Sequence, residues 1–292
     1  MAEQQTGQQA TQQTAHQAKP RAKQYSHAWV SRLFIAIHLV CIFAPLLIIV
    51  VWSLTSSWPW PELLPQSFSD RGIAEIFVNQ KGLGFVLLQS IGIALAVALF
   101  TTIVAAFAAR AFVHHSFFGK ELSRFSTMLP FLIPSTVFAM GVQVIFIKAG
   151  LANTVGGVIL AHAVVSLPYA VMIMSDSMSA AGNRLEQQAR VSGAGVLRTL
   201  IHVQVPSLLP GILSAMSMSY ILSFSQYFLT LLIGGGVVKT FAVTMFPYLA
   251  SGDRTVASAY GVVFLAVTFG VFLLFELLLK RFAARRVEYF NG

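Results

Sequence analysis

Six uninterrupted apolar runs, residues 33–54, 85–109, 125–147, 153–174, 207–233 and 256–279, contain between them a single Asp, Glu, Lys or Arg, which is Glu276. A helix needs about 20 mostly apolar residues to cross a hydrocarbon core of about 30 Å. Inside that core every backbone polar group must find its partner within the chain. Each run is long enough to span once, and continuous apolar runs are unlike the short alternating segments of a membrane β-barrel. Composition agrees: the chain is 56% hydrophobic and only 10% charged, against about 25% charged in soluble domains. Its single cysteine, Cys41, excludes a disulfide scaffold. The expected fold class is an all-α membrane protein with six transmembrane helices.

Lysine and arginine set the orientation. Fourteen of them lie on one side: Lys19, Arg21, Lys23, Arg32; Arg110, Lys120, Arg124; Arg184, Arg190, Arg198; and Lys280, Arg281, Arg285, Arg286. Five lie on the other: Arg71, Lys81, Lys148, Lys239 and Arg254. Both termini are therefore expected in the cytosol. Net charge of +9 is then mostly topological signal and attraction to anionic lipid, and it calls for no nucleic acid. Residues 1–32 read as a disordered cytosolic tail with a basic flank, eight Gln falling in the first 24 positions. Residues 33–279 are the membrane domain and 280–292 a basic cytosolic tail. The loop 55–84 faces outward and carries Trp58-Pro59-Trp60-Pro61; these are headgroup-level aromatic anchors, or else a contact for an extracytoplasmic partner.

Several chemistries lack their residues. No phosphate loop, H-E-x-x-H zinc site or G-x-S-x-G nucleophile turn occurs. His114-His115 falls in a short basic loop and reads as solvated surface rather than a metal site. No catalytic, metal or cofactor site is expected, which disfavours a membrane-embedded enzyme. An ion-driven carrier uses intramembrane ionisable groups. Glu276, the one carboxylate available, stands four residues before Lys280 as a snorkelling pair.

The segment between the fourth and fifth runs is unusually structured. Asn183 is a good helix N-cap, and Glu186 three residues later completes a capping box. A short helix is expected over 184–192, stopping at Gly193 in a left-handed turn. A second is expected over 196–203, with Leu197, Leu200 and Ile201 on one face and Pro206 ending it. The result is a rigid cytosolic knuckle over 183–206, suited to a groove on a soluble partner; an ordinary interfacial helix pair has the same local features.

This segment resembles the cytoplasmic motif of importer-type ABC permeases, E-A-A-x3-G-x9-I-x-L-P. Gln187-Gln188-Ala189 stand at E-A-A, Gly193 at the glycine, and Val203-Gln204-Val205-Pro206 at I-x-L-P. Glu186, Arg190, Ala194, Pro210, Gly211 and Ile212 fit flanking positions. Ser166-Leu167-Pro168-Tyr169 looks like the turn near the end of the fourth span, and Pro130 and Pro134 like a proline-kinked third span. Gln89-Ser90 and Ala108-Ala109-Arg110 resemble the ends of the second. The motif departs at Gln187, where the family has glutamate, and at two valines.

The resemblance implies the six-span permease fold, with the cytoplasmic coupling helix between spans four and five. It implies a multi-pass subunit of a bacterial inner membrane, working with a second permease subunit, homo- or heteromeric. It further implies two cytosolic ABC ATPase subunits, which bind ATP and Mg, and an extracytoplasmic solute-binding protein. Glu186, Gln187, Gln188, Ala189, Arg190, Gly193 and Pro206 would make the ATPase contact. Phe224-Ser225-Gln226-Tyr227, Leu232-Ile233-Gly234-Gly235-Gly236 and Ser251-Gly252-Asp253 look most like the spermidine/putrescine, iron, thiamine and phosphonate grouping, which points to a small charged organic solute ahead of sugars or amino acids. Along the fifth run, Ser219, Ser223, Gln226 and Thr230 recur at helical spacing as one polar stripe. With Gln143 and His162 they are candidates for the solute path; interhelical hydrogen bonding explains the same stripe. An ATP-independent carrier or channel is the alternative function.

Overall fold

The computed structural model describes residues 28–59, 61–80 and 82–291. The expected disordered tail, as far as residue 27, and Trp60 of the aromatic loop lie outside the described residues. The chain divides into two units, Met1–Val51 and Trp52–Gly292. Helix α1 (Ala28–Ser53) accounts for the described part of the first, its last two residues belonging to the second, with Pro45 inside it.

The second unit opens with a small antiparallel hairpin, β1 (Thr55–Ser57) and β2 (Ser67–Phe68), then α2 (Arg71–Ala74) running into a π turn, Glu75–Asn79. Ten helices come after it among the described residues: α3 (Leu83–His114), α4 (Lys120–Leu132), α5 (Ser135–Lys148), α6 (Val155–Ala181), α7 (Arg184–Val191), α8 (Val196–Thr199), α9 (Val205–Phe224), α10 (Phe228–Gly234), α11 (Phe241–Ser251) and α12 (Arg254–Asn291).

The core is built on α3, α6 and α9. Ala94, Ala98, Ala105 and Ala109 repeat along α3 at intervals of four, seven and four, and all are fully buried. Small side chains let helix backbones approach, and van der Waals packing replaces the hydrophobic drive that lipid does not supply. Ala105 and Ala109 meet Ala170, Met174, Leu208 and Ala215 at one end of the bundle. Ile93 and Val97 meet Val158, Ala161, Leu229 and Ile233 in a second cluster. A third joins Tyr220 and Phe224 to Phe241 and Tyr260, with Phe224 and Phe241 stacked at 6.2 Å.

Four expectations change in the folded chain. The third run is two helices, α4 and α5, bent by 110°. Pro134 has no N–H and disfavours helical geometry at the residue before it; Ile133 is extended, at φ −91° and ψ 133°. Among the described residues five helices are therefore long and apolar enough to span, and a sixth only if this bent pair counts as one. Ser166–Tyr169 is no turn: α6 runs through Pro168 to Ala181, a single proline removing one ladder bond without stopping the helix.

Pro206 likewise does not end the knuckle's second helix. Residues 196–224 continue as one rod, because Leu200–Gln204 widens into a π turn ahead of it. That widening relieves the clash of the proline ring with the preceding turn. The fifth run itself breaks at 225–227, between α9 and α10.

The connection 234–255 holds α11, which carries Pro247. α11 and the residues after it are tied to the 55–84 region. Gln80 Nε2 donates to Tyr248 Oη at 2.5 Å, Thr255 Oγ1 to the Thr55 carbonyl at 2.8 Å, and Arg71 pairs with Asp253. Past the sixth run, the helical backbone of α12 continues through the basic segment to Asn291.

Candidate functional site

α7 leaves the end of α6 after Gly182, whose φ of +65° breaks the longer helix. The expected capping box does not form. Asn183 makes no side-chain cap bond, and its φ and ψ of −111° and 1° lie away from the extended N-cap geometry; only its carbonyl serves, accepting the Gln187 N–H at 2.9 Å. Glu186 turns inward instead. Its Oε1 accepts from Arg110 Nη2 at 2.7 Å and from Arg190 Nη2 at 2.6 Å, and its Oε2 accepts from Gln204 Nε2. Arg110 Nη1 in turn donates to Gln204 Oε1. Partial burial pushes the Glu186 carboxyl upward, but Arg110, Arg190 and Gln204 together outweigh it and hold the pKa below its ordinary value.

α7 ends at Val191, and Gly193 takes the left-handed turn at φ +82°. Its N–H donates to Arg190 O at 2.9 Å, and Ala194 N–H donates to Ala189 O at 3.0 Å, closing the helix end. Gln187, Gln188, Arg190 and Gly193 are exposed, while Ala189 and Pro206 are half-buried. Apolar side chains also face solvent: Val191 is 90% exposed, Val196 71% and Leu197 69%. Behind the knuckle lies a cavity of about 240 Å³ walled by apolar side chains such as Phe107, Met174 and Ile212, with Arg110 and Gln204 in its lining.

Two members of the polar stripe, Ser223 and Thr230, meet at one imidazole. His162, on α6 and buried, places Nδ1 2.9 Å from Ser223 Oγ and Nε2 2.9 Å from Thr230 Oγ1. Thr230 Oγ1 donates to the Gln226 carbonyl at 2.6 Å. Its one proton is thus engaged, so it accepts from Nε2–H, and Nδ1 accepts from the Ser223 hydroxyl. Ser223 lies in the last turn of α9 and Thr230 belongs to α10, so His162 ties together the two sides of the helix break.

Ser219 Oγ is buried with no partner. Gln226 lies in the break and is half-buried. Gln143 Nε2 donates to Leu232 O at 3.3 Å, occupying a carbonyl near the end of α10. Ser223, Thr230 and His162 therefore meet across the break through interhelical hydrogen bonds, while Ser219 lies within α9 and Gln143 reaches the far end of α10. Among the described residues no group of three or more His, Cys, Asp or Glu is placed to hold a metal.

Arg110 and Gln204 are the functional candidates that spacing did not single out. The signals for them were the resemblance at Ala108-Ala109-Arg110 and at Val203-Gln204-Val205-Pro206, and a lone arginine near the end of an apolar helix.

Residues 98–286 match the family described as "Binding-protein-dependent transport system inner membrane component". A relative named osmoprotective compounds uptake permease protein GgtD, from Synechocystis, is 27% identical over 168 residues, 58% of this chain and 56% of its own length; the chain thus spans about half of that relative. A Salmonella typhimurium protein, PhnV, named for a 2-aminoethylphosphonate transport system permease, is 27% identical over 266 residues, 90% of this chain and 97% of its own. Among solved structures, a chain of a bacterial ABC transporter involved in the import of the acidic polysaccharide alginate superposes with a TM-score of 0.68. At 14% identity, covering 90% of this chain and 99% of that one, it speaks for the fold alone.

Proposed function

The chain belongs to the family of binding-protein-dependent transport system inner membrane components, and from that premise we propose that it is the permease subunit of an ATP-driven importer of the bacterial inner membrane. Two such subunits, identical or of similar fold, line the path. An extracytoplasmic binding protein delivers the solute, and two cytosolic ATPase subunits, which bind ATP and Mg, each seat one knuckle. Both termini lie in the cytosol, as the fourteen-to-five division of Lys and Arg favours. Hydrolysis belongs to the partners; this chain moves as rigid bodies between inward- and outward-facing states.

One observation carries the coupling role. The knuckle holds Val191, Val196 and Leu197 in solvent, 90%, 71% and 69% exposed, on a frame whose carboxylate is already paired inside. An apolar surface presented by a rigid element marks a protein contact. Glu186 is part of that frame, while Gln187, Gln188, Ala189, Arg190 and Gly193 lie on or beside the contact and Pro206 supports it. Ser219, Ser223, Gln226, Thr230, Gln143 and His162 belong to the solute path. A small charged organic solute is the class favoured, supported by the likeness to a relative named for a phosphonate. The ATP-independent alternative is weaker: Glu276, the one carboxylate of the six runs, is paired with Lys280 at 2.7 Å.

The test is co-purification. In detergent the chain retains an ATPase, and Gly193→Asp loses it with membrane abundance unchanged, because a Cβ at 193 meets nothing within 4 Å in this chain and the strain of its left-handed backbone falls on the corner alone, outside the spans. Full retention by the variant removes the knuckle from the contact.

A further inference from the structure

Arg110, Glu186 and Gln204 form a closed ring of hydrogen bonds between three separate elements. Arg110 sits in the cytosol-facing last turns of α3, Glu186 in the middle of α7, and Gln204 at the end of the π turn that leads into α9. Arg110 uses Nη2 on Glu186 and Nη1 on Gln204, and the Gln204 amide closes the ring onto the second carboxylate oxygen. Each side chain thus meets both others. Glu186 and Arg110 are 12% and 24% exposed, which shields the ring from water and from screening by salt. The planar guanidinium is suited to this task, since its fork meets two acceptors at fixed angles.

The π turn is part of the device. Five residues, Leu200–Gln204, take the wider winding, and the extra residue rotates the downstream helix by about 100° relative to an uninterrupted α-helix. This places Gln204 in reach of α3 and α7 immediately before the rod enters the membrane. Apart from the ring, α7 is joined to the bundle by the turn at Gly182, by the Gly193–Gly195 corner, and by apolar packing of Leu185 near Met178, Val203 and Leu208.

We propose that Arg110 and Gln204 are positioning residues which, with Glu186, lock the knuckle to α3 and α9, so that a push on the knuckle moves both helices instead of being absorbed by the loop. This rests on the coupling role proposed above. The ring does not touch the ATPase itself; it sets how stiffly the contact is connected to the spans.

The experiment uses the full chain with its ATPase in lipid nanodiscs and ATP–Mg as the only ligand. Nitroxides are placed at Arg184→Cys, exposed at the start of α7 and outside the contact, and Leu99→Cys on α3, in a Cys41→Ser background, and the distance distribution is read by pulsed electron resonance. With the ring intact, the distribution is narrow and unchanged by ATP–Mg, because both labels ride on one body. Arg110→Gln at least doubles its width and makes it shift on addition of ATP–Mg. Gln204→Met, which keeps the helix and removes only the amide, does the same. Arg110→Lys, able to reach one partner at a time, falls between. Membrane abundance and ATPase retention are scored alongside, and both stay at the wild-type level in all three variants. A distribution as narrow and ATP-insensitive in Arg110→Gln and Gln204→Met as in the parent overturns the ring. Failure of the parent chain to retain the ATPase overturns the coupling role instead.

Discussion

His162 Nε2 lies 2.9 Å from Thr230 Oγ1, 68 positions along the chain and on the far side of a helix break from Ser223, which the same ring holds through Nδ1. One neutral imidazole therefore satisfies two hydroxyls from two helices, where buried polar groups otherwise need water.

Removing the ring tests what those bonds contribute. His162→Phe keeps the volume and deletes both bonds, at about 0.6 kcal/mol per interhelical contact. His162→Ala adds a cavity, for a total of about 2 to 4 kcal/mol. The thermal midpoint in detergent should fall in the order wild type, Phe, Ala. Maleimide labelling of Gln226→Cys, in the break, should quicken several-fold in both variants. Wild-type labelling rates would mean that the break is held by packing alone.

Protonation of Glu186 should loosen the knuckle. Its folded-state pKa lies below the ordinary value of 4.5, so its contribution is complete above that value and is lost as pH falls through the depressed one. Amide exchange across 184–192 should therefore be insensitive to pH from neutral down to the ordinary carboxylate range, once corrected for intrinsic rates. Protection should decline below it. Glu186→Gln should exchange faster at neutral pH and lose the acid step.

Gly211 marks a close approach of α9 to α6, since a Cβ there would overlap the Ser177 side chain, including its own Cβ. Gly211→Ala should destabilise the bundle by about 1 to 3 kcal/mol, as overpacking does. Adding Ser177→Gly should recover part of the loss, although glycine in a helix itself costs about 1 kcal/mol. A double variant worse than Gly211→Ala by that full amount would place the strain elsewhere.

Single-cysteine labelling in Cys41→Ser reads the sidedness. Leu63 and Val191 are each 90% exposed, so both positions are open to reagent. A membrane-impermeant maleimide added outside should label Leu63→Cys in intact cells and reach Val191→Cys only after the membrane is opened. The opposite pattern would invert the orientation.

The apolar runs, their lengths and their single carboxylate determine by themselves a membrane-spanning helical bundle, because crossing hydrocarbon is decided by composition over about 20 consecutive residues. Gly193 was equally legible: a helix stop needing positive φ is a property of a few adjacent residues, and φ there is +82°. The i,i+4 pair of Glu276 and Lys280 is local for the same reason. The polar stripe of the fifth run was visible as a period, but its partner was not.

What the tertiary structure decided was every contact between distant residues. Locally, Asn183 and Glu186 make a capping box; in the folded chain Arg110, 76 positions away, draws the carboxylate inward and the cap is not made. A charge-assisted bond in a half-buried site is stronger than a neutral cap bond at the surface, and only the fold brings that charge within reach. Pro134 and Pro206 show the same limit. Each removes the same N–H, yet one ends in a 110° bend and the other in a continuous rod. Proline fixes its own φ and constrains the residue before it, whereas the packing around it selects between a bend and a widened turn.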